Sequence, residues 1–124
     1  PIPDDAERTL TGWEYFPPAV GDGIRNAWAR AGVPVYVTEN GMATADDARR
    51  IDYTRGALEA VHSSIRDGVD VRGYLHWSLL DNFEWAEGYT QRFGLVHVGA
   101  DQERVPKDSY AWLRDRIRTL RSSG

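Results

Sequence analysis

Two stretches of this chain carry residue types that could do chemistry. The first is Thr38-Glu39-Asn40-Gly41, where a carboxylate follows the apolar run Val33-Pro34-Val35-Tyr36-Val37 and precedes a glycine that can turn the chain. The second is Leu80-Asp81-Asn82-Phe83-Glu84-Trp85-Ala86-Glu87-Gly88-Tyr89, a mixture of acids and aromatics at the end of another apolar run. A sugar presents apolar C–H faces within a rim of hydroxyls. Its site therefore combines flat rings with carboxylates or amides that accept hydrogen bonds. Glu39 at a strand end projects into a mouth instead of a packed core, the place where ligands and catalysis collect in sheets covered by helices. The structural alternative is a turn residue accepting backbone hydrogen bonds. Other chemistries find no support: His62, His76 and His97 are scattered without metal-ligand spacing, and neither a phosphate-binding glycine loop nor a Ser-His-Asp set is present. No cofactor or metal is expected.

The elements that must position these residues follow from periodicity. Pro17-Pro18 opens a helix with Val20, Ile24, Ala27, Trp28 and Ala31 on one face, and Gly32 ends it. A strand over 33–38 comes next, and alternation puts Val35 and Val37 on the side of Glu39, so that the glutamate ends an apolar column. Thr44 followed by Asp47 predicts a capping-box start for a second helix, with Ile51, Thr54, Leu58, Val61 and Ile65 buried, Arg49, Arg50, Glu59, Arg66 and Asp67 on a solvated face, and Gly68 as its stop. His62 lies beside the buried stripe.

Residues 71–79 read as a second strand, at the distance of a βαβ unit from the first, so both strands end on one edge. Alternation puts Trp77 and His76 on opposite faces, so that if Trp77 points to the mouth His76 points to the helix layer, where it is a packing or hydrogen-bonded residue. A hairpin around Gly99-Ala100-Asp101-Gln102 and a last helix with Tyr110, Leu113, Ile117 and Leu120 inward complete the chain. Thr9 to Phe16 is a short strand or an extended lead-in, and residues 1–8 are a surface segment or a broken end.

The chain has 124 residues, a net charge of -4 and no cysteine. Its pI is near 5.3, with both signs interspersed, which argues against nucleic-acid and anionic-membrane partners. Thiolate chemistry and disulfides are excluded. Neither a membrane span nor a signal peptide is legible, so a soluble, cytoplasmic chain is expected. The opening Pro-Ile-Pro-Asp-Asp starts no element and reads as a cut from something longer.

Taken together, Gly12-Trp13-Glu14, Tyr36-Val37-Thr38-Glu39-Asn40-Gly41, the run from Gly73 to Trp85 with Trp-Ser-Leu-Leu-Asp-Asn-Phe-Glu-Trp, Gly88-Tyr89, Arg92-Phe93-Gly94-Leu95 and Pro106-Lys107-Asp108-Ser109 resemble, in order and spacing, the carboxyl-terminal third of glycoside hydrolase family 1, the β-glucosidases. The resemblance implies an α/β fold, a (β/α)8 TIM barrel, with residues 1–124 as its last two or so strand-helix units within a single domain. It also implies a retaining β-glucosidase in which Glu39 is the nucleophile, Trp77 the platform under the sugar, Glu84 and Trp85 the partners of its outer hydroxyls, and Phe93 a wall of the same pocket. Asn40 receives no chemical role.

Such hydrolysis needs a second carboxyl group about 5 to 5.5 Å from the nucleophile, with a raised pKa. The family carries it in an Asn-Glu-Pro motif, and this chain has none. Glu84 and Glu87 are poor substitutes. The expected partners are a β-glucoside or related sugar and the missing amino-terminal part of the barrel, or another copy of the chain. The alternatives are a non-catalytic carbohydrate-binding module and a self-assembling half-barrel.

Overall fold

The computed structural model describes residues 2–122; Pro1, Ser123 and Gly124, with the expectations that touch them, lie outside the described residues. Helix α1 (Ala19–Ala31) follows Pro18 and ends at Gly32, whose left-handed φ of 63° lets its N–H return to the Trp28 carbonyl. Strand β1 (Val35–Asn40), helix α2 (Asp47–Arg66) and strand β2 (Val71–His76) form a βαβ unit with the two strands parallel and adjacent. A single 3-10 turn (Trp85–Glu87), the antiparallel pair β3 (Val96–Val98) and β4 (Arg104–Pro106), and helix α3 (Asp108–Ser122) follow. The lead-in before α1 is a loop closed by an antiparallel bridge between Arg8 and Glu14.

The core lies between the helices and one face of the β1–β2 sheet. Ile24, Val37, Val61 and Val69 are buried there, with Val20, Trp28, Val35, Val71 and Tyr74 packed around them. Small residues bring α1 and α2 together: a Cβ on Gly21 would lie 3.1 Å from that of Ala60, and one on Gly56 2.9 Å from that of Pro17. The opposite face is bare, with Tyr36 57% and Leu75 55% exposed. Each strand also keeps one edge without a partner strand among the described residues. This is the geometry of two staves of a barrel.

Five expectations are corrected. Strand β1 runs two residues later than 33–38, because Val33 is exposed and pairing starts only at Val35 opposite Val71. Strand β2 stops at His76 instead of Leu79, since the next residues take their hydrogen bonds elsewhere: Ser78 N–H donates to the Phe93 carbonyl (3.3 Å) and Asp81 N–H to that of Val96 (3.0 Å). The cap of α2 is Asp46, whose carboxylate accepts from the N–H groups of Ala48 and Arg49, while Thr44 Oγ1 accepts from Asp46 N–H. The buried stripe of α2 is rotated to Arg50, Thr54, Ala57, Val61 and Ser64, leaving Ile65 exposed. In α3, Leu113 is buried, but Ile117 and Leu120 face an open apolar groove shared with α2 and β2.

Arg50 is the largest departure. Its side chain is 1% exposed, and all five donors are used: Nε on Asp47 Oδ1 (2.9 Å), Nη1 on the carbonyls of Met42 (2.9 Å) and Phe93 (3.1 Å), Nη2 on those of Thr44 (2.9 Å) and Arg92 (3.0 Å). One guanidinium thus ties the loop after β1 to the segment that carries Phe93. Asp47 in turn accepts from the Ser109 N–H (2.7 Å) and hydroxyl (2.8 Å), fastening the start of α3 to α2.

Candidate active site

At the carboxyl ends of β1 and β2 a cleft of about 520 Å3 opens. Glu39, Trp77, Glu84, Trp85 and Phe93, which come from three separate stretches of sequence, all border it. Trp13, Tyr53 and Asn82 border it as well and were not singled out by sequence reasoning. The signal for Trp13 lay in its motif, Gly-Trp-Glu; in the fold its ring packs on Phe93 with centroids 6.3 Å apart.

Glu39 does not reach the cleft by regular alternation. Val37, buried against Ile24 and Val61, pairs with Tyr74, and the next matched pair is Asn40 with His76. Strand β1 therefore spends three residues where β2 spends two, and the extra residue shifts the phase of every side chain beyond it. Asn40 takes the helix-side position that counting by twos assigns to Glu39. Its Oδ1 accepts the Tyr74 hydroxyl at 2.9 Å, and Glu39 is released to the exposed, cleft side.

Close packing of the two strand ends fixes the floor. Trp77 N–H donates to the Asn40 carbonyl (2.9 Å), extending the ladder by one bond beyond β2. A Cβ on Gly41 would sit 1.8 Å from the Trp77 carbonyl oxygen, so only glycine fits after Asn40. The peptide bond between Trp77 and Ser78 is cis.

The acid-aromatic loop is held at its base and free at its tip. Asp81 Oδ1 accepts from Gly94 N–H (2.9 Å) and Lys107 Nζ (3.0 Å), and Oδ2 lies 3.1 Å from His97 Nδ1. Burial acts to raise the Asp81 pKa, but the hydrogen bonds from Lys107 and His97 outweigh it and hold the carboxyl below its ordinary range. Asn82 donates to Ser78 Oγ (3.1 Å) and to the Leu80 carbonyl (3.2 Å). Beyond it, Glu84 enters the 3-10 turn and Trp85 is 83% exposed, its indole open to a ligand or to further protein.

His76 takes the helix-layer position expected for it, with neither ring nitrogen hydrogen-bonded. Burial, and after it the charge of Arg50, pull its pKa down to about 4, so the imidazole is neutral near pH 7. Among the described residues no group of three or more His, Asp or Glu is arranged to hold a metal ion, and no helix is long and apolar enough to cross a membrane.

A βαβ unit with one bare sheet face, and a carboxylate-and-tryptophan cleft at the carboxyl ends of its strands, define a piece of a barrel with a site at its rim. The sequence model of Glycosyl hydrolase family 1 matches residues 3–121, and the chain belongs to that family. It is similar to a bifunctional β-D-glucosidase/β-D-fucosidase of Bifidobacterium breve, 46% identical over 91% of this chain and 28% of that protein. A β-galactosidase of Sulfolobus acidocaldarius is 49% identical over 70% of this chain and 18% of its own length. Among solved structures, a β-glucosidase designated 1317 superposes with a TM-score of 0.93 at 46% identity, covering 96% of this chain and 30% of that one. The family 1 β-glucosidase of Thermotoga maritima gives 0.90 at 38% identity over 94% of this chain, and it has been solved with glucoimidazole and with castanospermine. The fold is thus part of a (β/α)8 barrel, and the chain spans less than a third of the length of these relatives.

Proposed function

We propose that this chain supplies the nucleophile and the sugar-holding half of a retaining β-glycosidase that hydrolyses terminal β-D-glucosyl residues, as the carboxyl-terminal part of one barrel domain. The observation that carries the reading is Glu39, turned out of the regular strand phase onto the cleft that Trp77 and Glu84 border. In the first step a Glu39 carboxylate oxygen bonds to the anomeric carbon as the bond to the leaving oxygen breaks. That oxygen takes a proton from a carboxylic acid on another part of the barrel. Water, deprotonated by the same group, then releases the sugar and frees Glu39.

Trp77 offers a ring to the apolar face of the sugar, Glu84 accepts from outer hydroxyls, and Trp85 and Phe93 close the sides. The sugar mimics held by the Thermotoga maritima relative support a glucose-shaped ligand, and the names of the other relatives keep galactosides and fucosides as close competitors. The open strand edges and the apolar groove along α2 and α3 support a need for the rest of the barrel.

The test joins this chain to a complementary amino-terminal part, such as that of the Bifidobacterium breve relative, and assays an aryl β-glucoside. The completed barrel is active, the chain alone is inactive, and Glu39→Gln abolishes turnover; full activity of that variant would refute the assignment. A second reading, sugar binding without chemistry, is favoured by the aromatic and acidic residues Trp77, Glu84 and Trp85 on the cleft, with Trp85 83% exposed. It requires a saturable tryptophan fluorescence response when the chain alone is titrated with glucose.

A further inference from the structure

We propose that Asn40 is a positioning residue for the reaction: its amide, anchored by the Tyr74 hydroxyl, holds the shifted register that presents Glu39 to the cleft. The inference rests on the reading of Glu39 as the nucleophile.

Three contacts fix Asn40. Its side-chain oxygen accepts the Tyr74 hydroxyl at 2.9 Å, its carbonyl accepts Trp77 N–H at 2.9 Å, and its backbone is in register with His76. Tyr53, from α2, lies against the same amide and also borders the cleft. Tyr74 is a firm post, since it packs on the buried cluster of Ile24, Val37, Val61 and Val69 and pairs with Val37, the last regular residue before the shift. Burial pushes its phenol far above the ordinary range, so it stays a hydrogen-bond donor at any working pH.

The anchor explains a conflict in the backbone. A strand end that carries an extra residue has lost part of its ladder, and nothing in regular pairing holds the direction of the side chain within it. The hydrogen bond from Tyr74 supplies that constraint one residue downstream of Glu39. Without it the end of β1 frays, and Glu39 spreads over several positions relative to Trp77. A displacement of about 1 Å at a reacting atom can cost on the order of a hundredfold in rate.

The closing experiment uses the completed barrel and an activated 2-deoxy-2-fluoro-β-glucoside carrying dinitrophenolate. Attack by Glu39 forms its bond to the anomeric carbon and expels dinitrophenolate, which needs no proton, so the trapping rate reports the nucleophile separately from the acid. Trapping also counts the competent sites, so a smaller folded fraction does not imitate a slower attack. Tyr74→Phe is expected to slow trapping about five- to tenfold and Asn40→Ala up to about a hundredfold, with glucose inhibition constants within about twofold of the parent. The double variant should be no slower than Asn40→Ala alone, because both act through one bond.

Parent-like trapping rates in both single variants, alongside an inactive Glu39→Gln, would overturn the positioning role and leave the proposed function standing. Effects that multiply in the double variant would overturn it too. If Glu39→Gln is itself trapped at the parent rate, the function and the inference fall together.

Discussion

Replacing Arg50 by methionine removes five hydrogen-bond donors from a side chain that is 1% exposed while keeping much of its volume. The Arg92 carbonyl retains Thr44 N–H at 3.2 Å, and that of Phe93 retains Ser78 N–H at 3.3 Å. The Met42 and Thr44 carbonyls have the guanidinium as their donor, at 2.9 Å each. Leaving a buried acceptor unmet costs about 1–3 kcal/mol, and breaking a buried ion pair from one side about 3–5 kcal/mol. Asp47 keeps two bonds from Ser109, which places the total near the lower bound of the sum, at about 5 kcal/mol. Arg50→Lys, with three donors on one atom, should lose about half as much. Urea unfolding of the completed barrel, followed by tryptophan fluorescence, measures both. A methionine variant within about 1 kcal/mol of the parent would refute the claim that this guanidinium clasps the two loops.

Other perturbations reach the site by different routes. Gly41→Ala puts a methyl group 1.8 Å from the Trp77 carbonyl, so the strand ends must separate; stability should fall by about 3 kcal/mol or more and activity should be lost, measured on the same completed barrel. His76 titrates at about 4 when folded and near 6.5 when unfolded, so its contribution is full above pH 6.5 and is lost as the pH falls toward 4. That predicts a loss of about 2 kcal/mol between pH 7 and pH 5, which His76→Phe should remove from the pH dependence of urea midpoints.

The site was legible where a local pattern carries it. A glutamate ending a β-branched run and an acid-aromatic loop after the next strand are statements about neighbours in sequence, and the parallel pairing of the two strands brings both to one cleft. The phase of Glu39 was not legible, because alternation counts residues along one strand and the register shift is a property of the pairing between two. Arg50 was hidden for a related reason: on a helical wheel it falls with Arg49 off the apolar stripe, while its partners are carbonyls from two loops, one of them more than forty residues away. The cap of α2 went to Asp46 because a carboxylate two residues before Ala48 reaches the first free N–H groups.

Mass spectrometry of the completed barrel after trapping with the fluorinated glucoside tests the central claim most directly. The account predicts one added fluoroglucosyl group per chain, carried by the proteolytic peptide that contains Glu39 and mapped to that side chain. A label on Glu84, on Glu87 or on the amino-terminal part would contradict it.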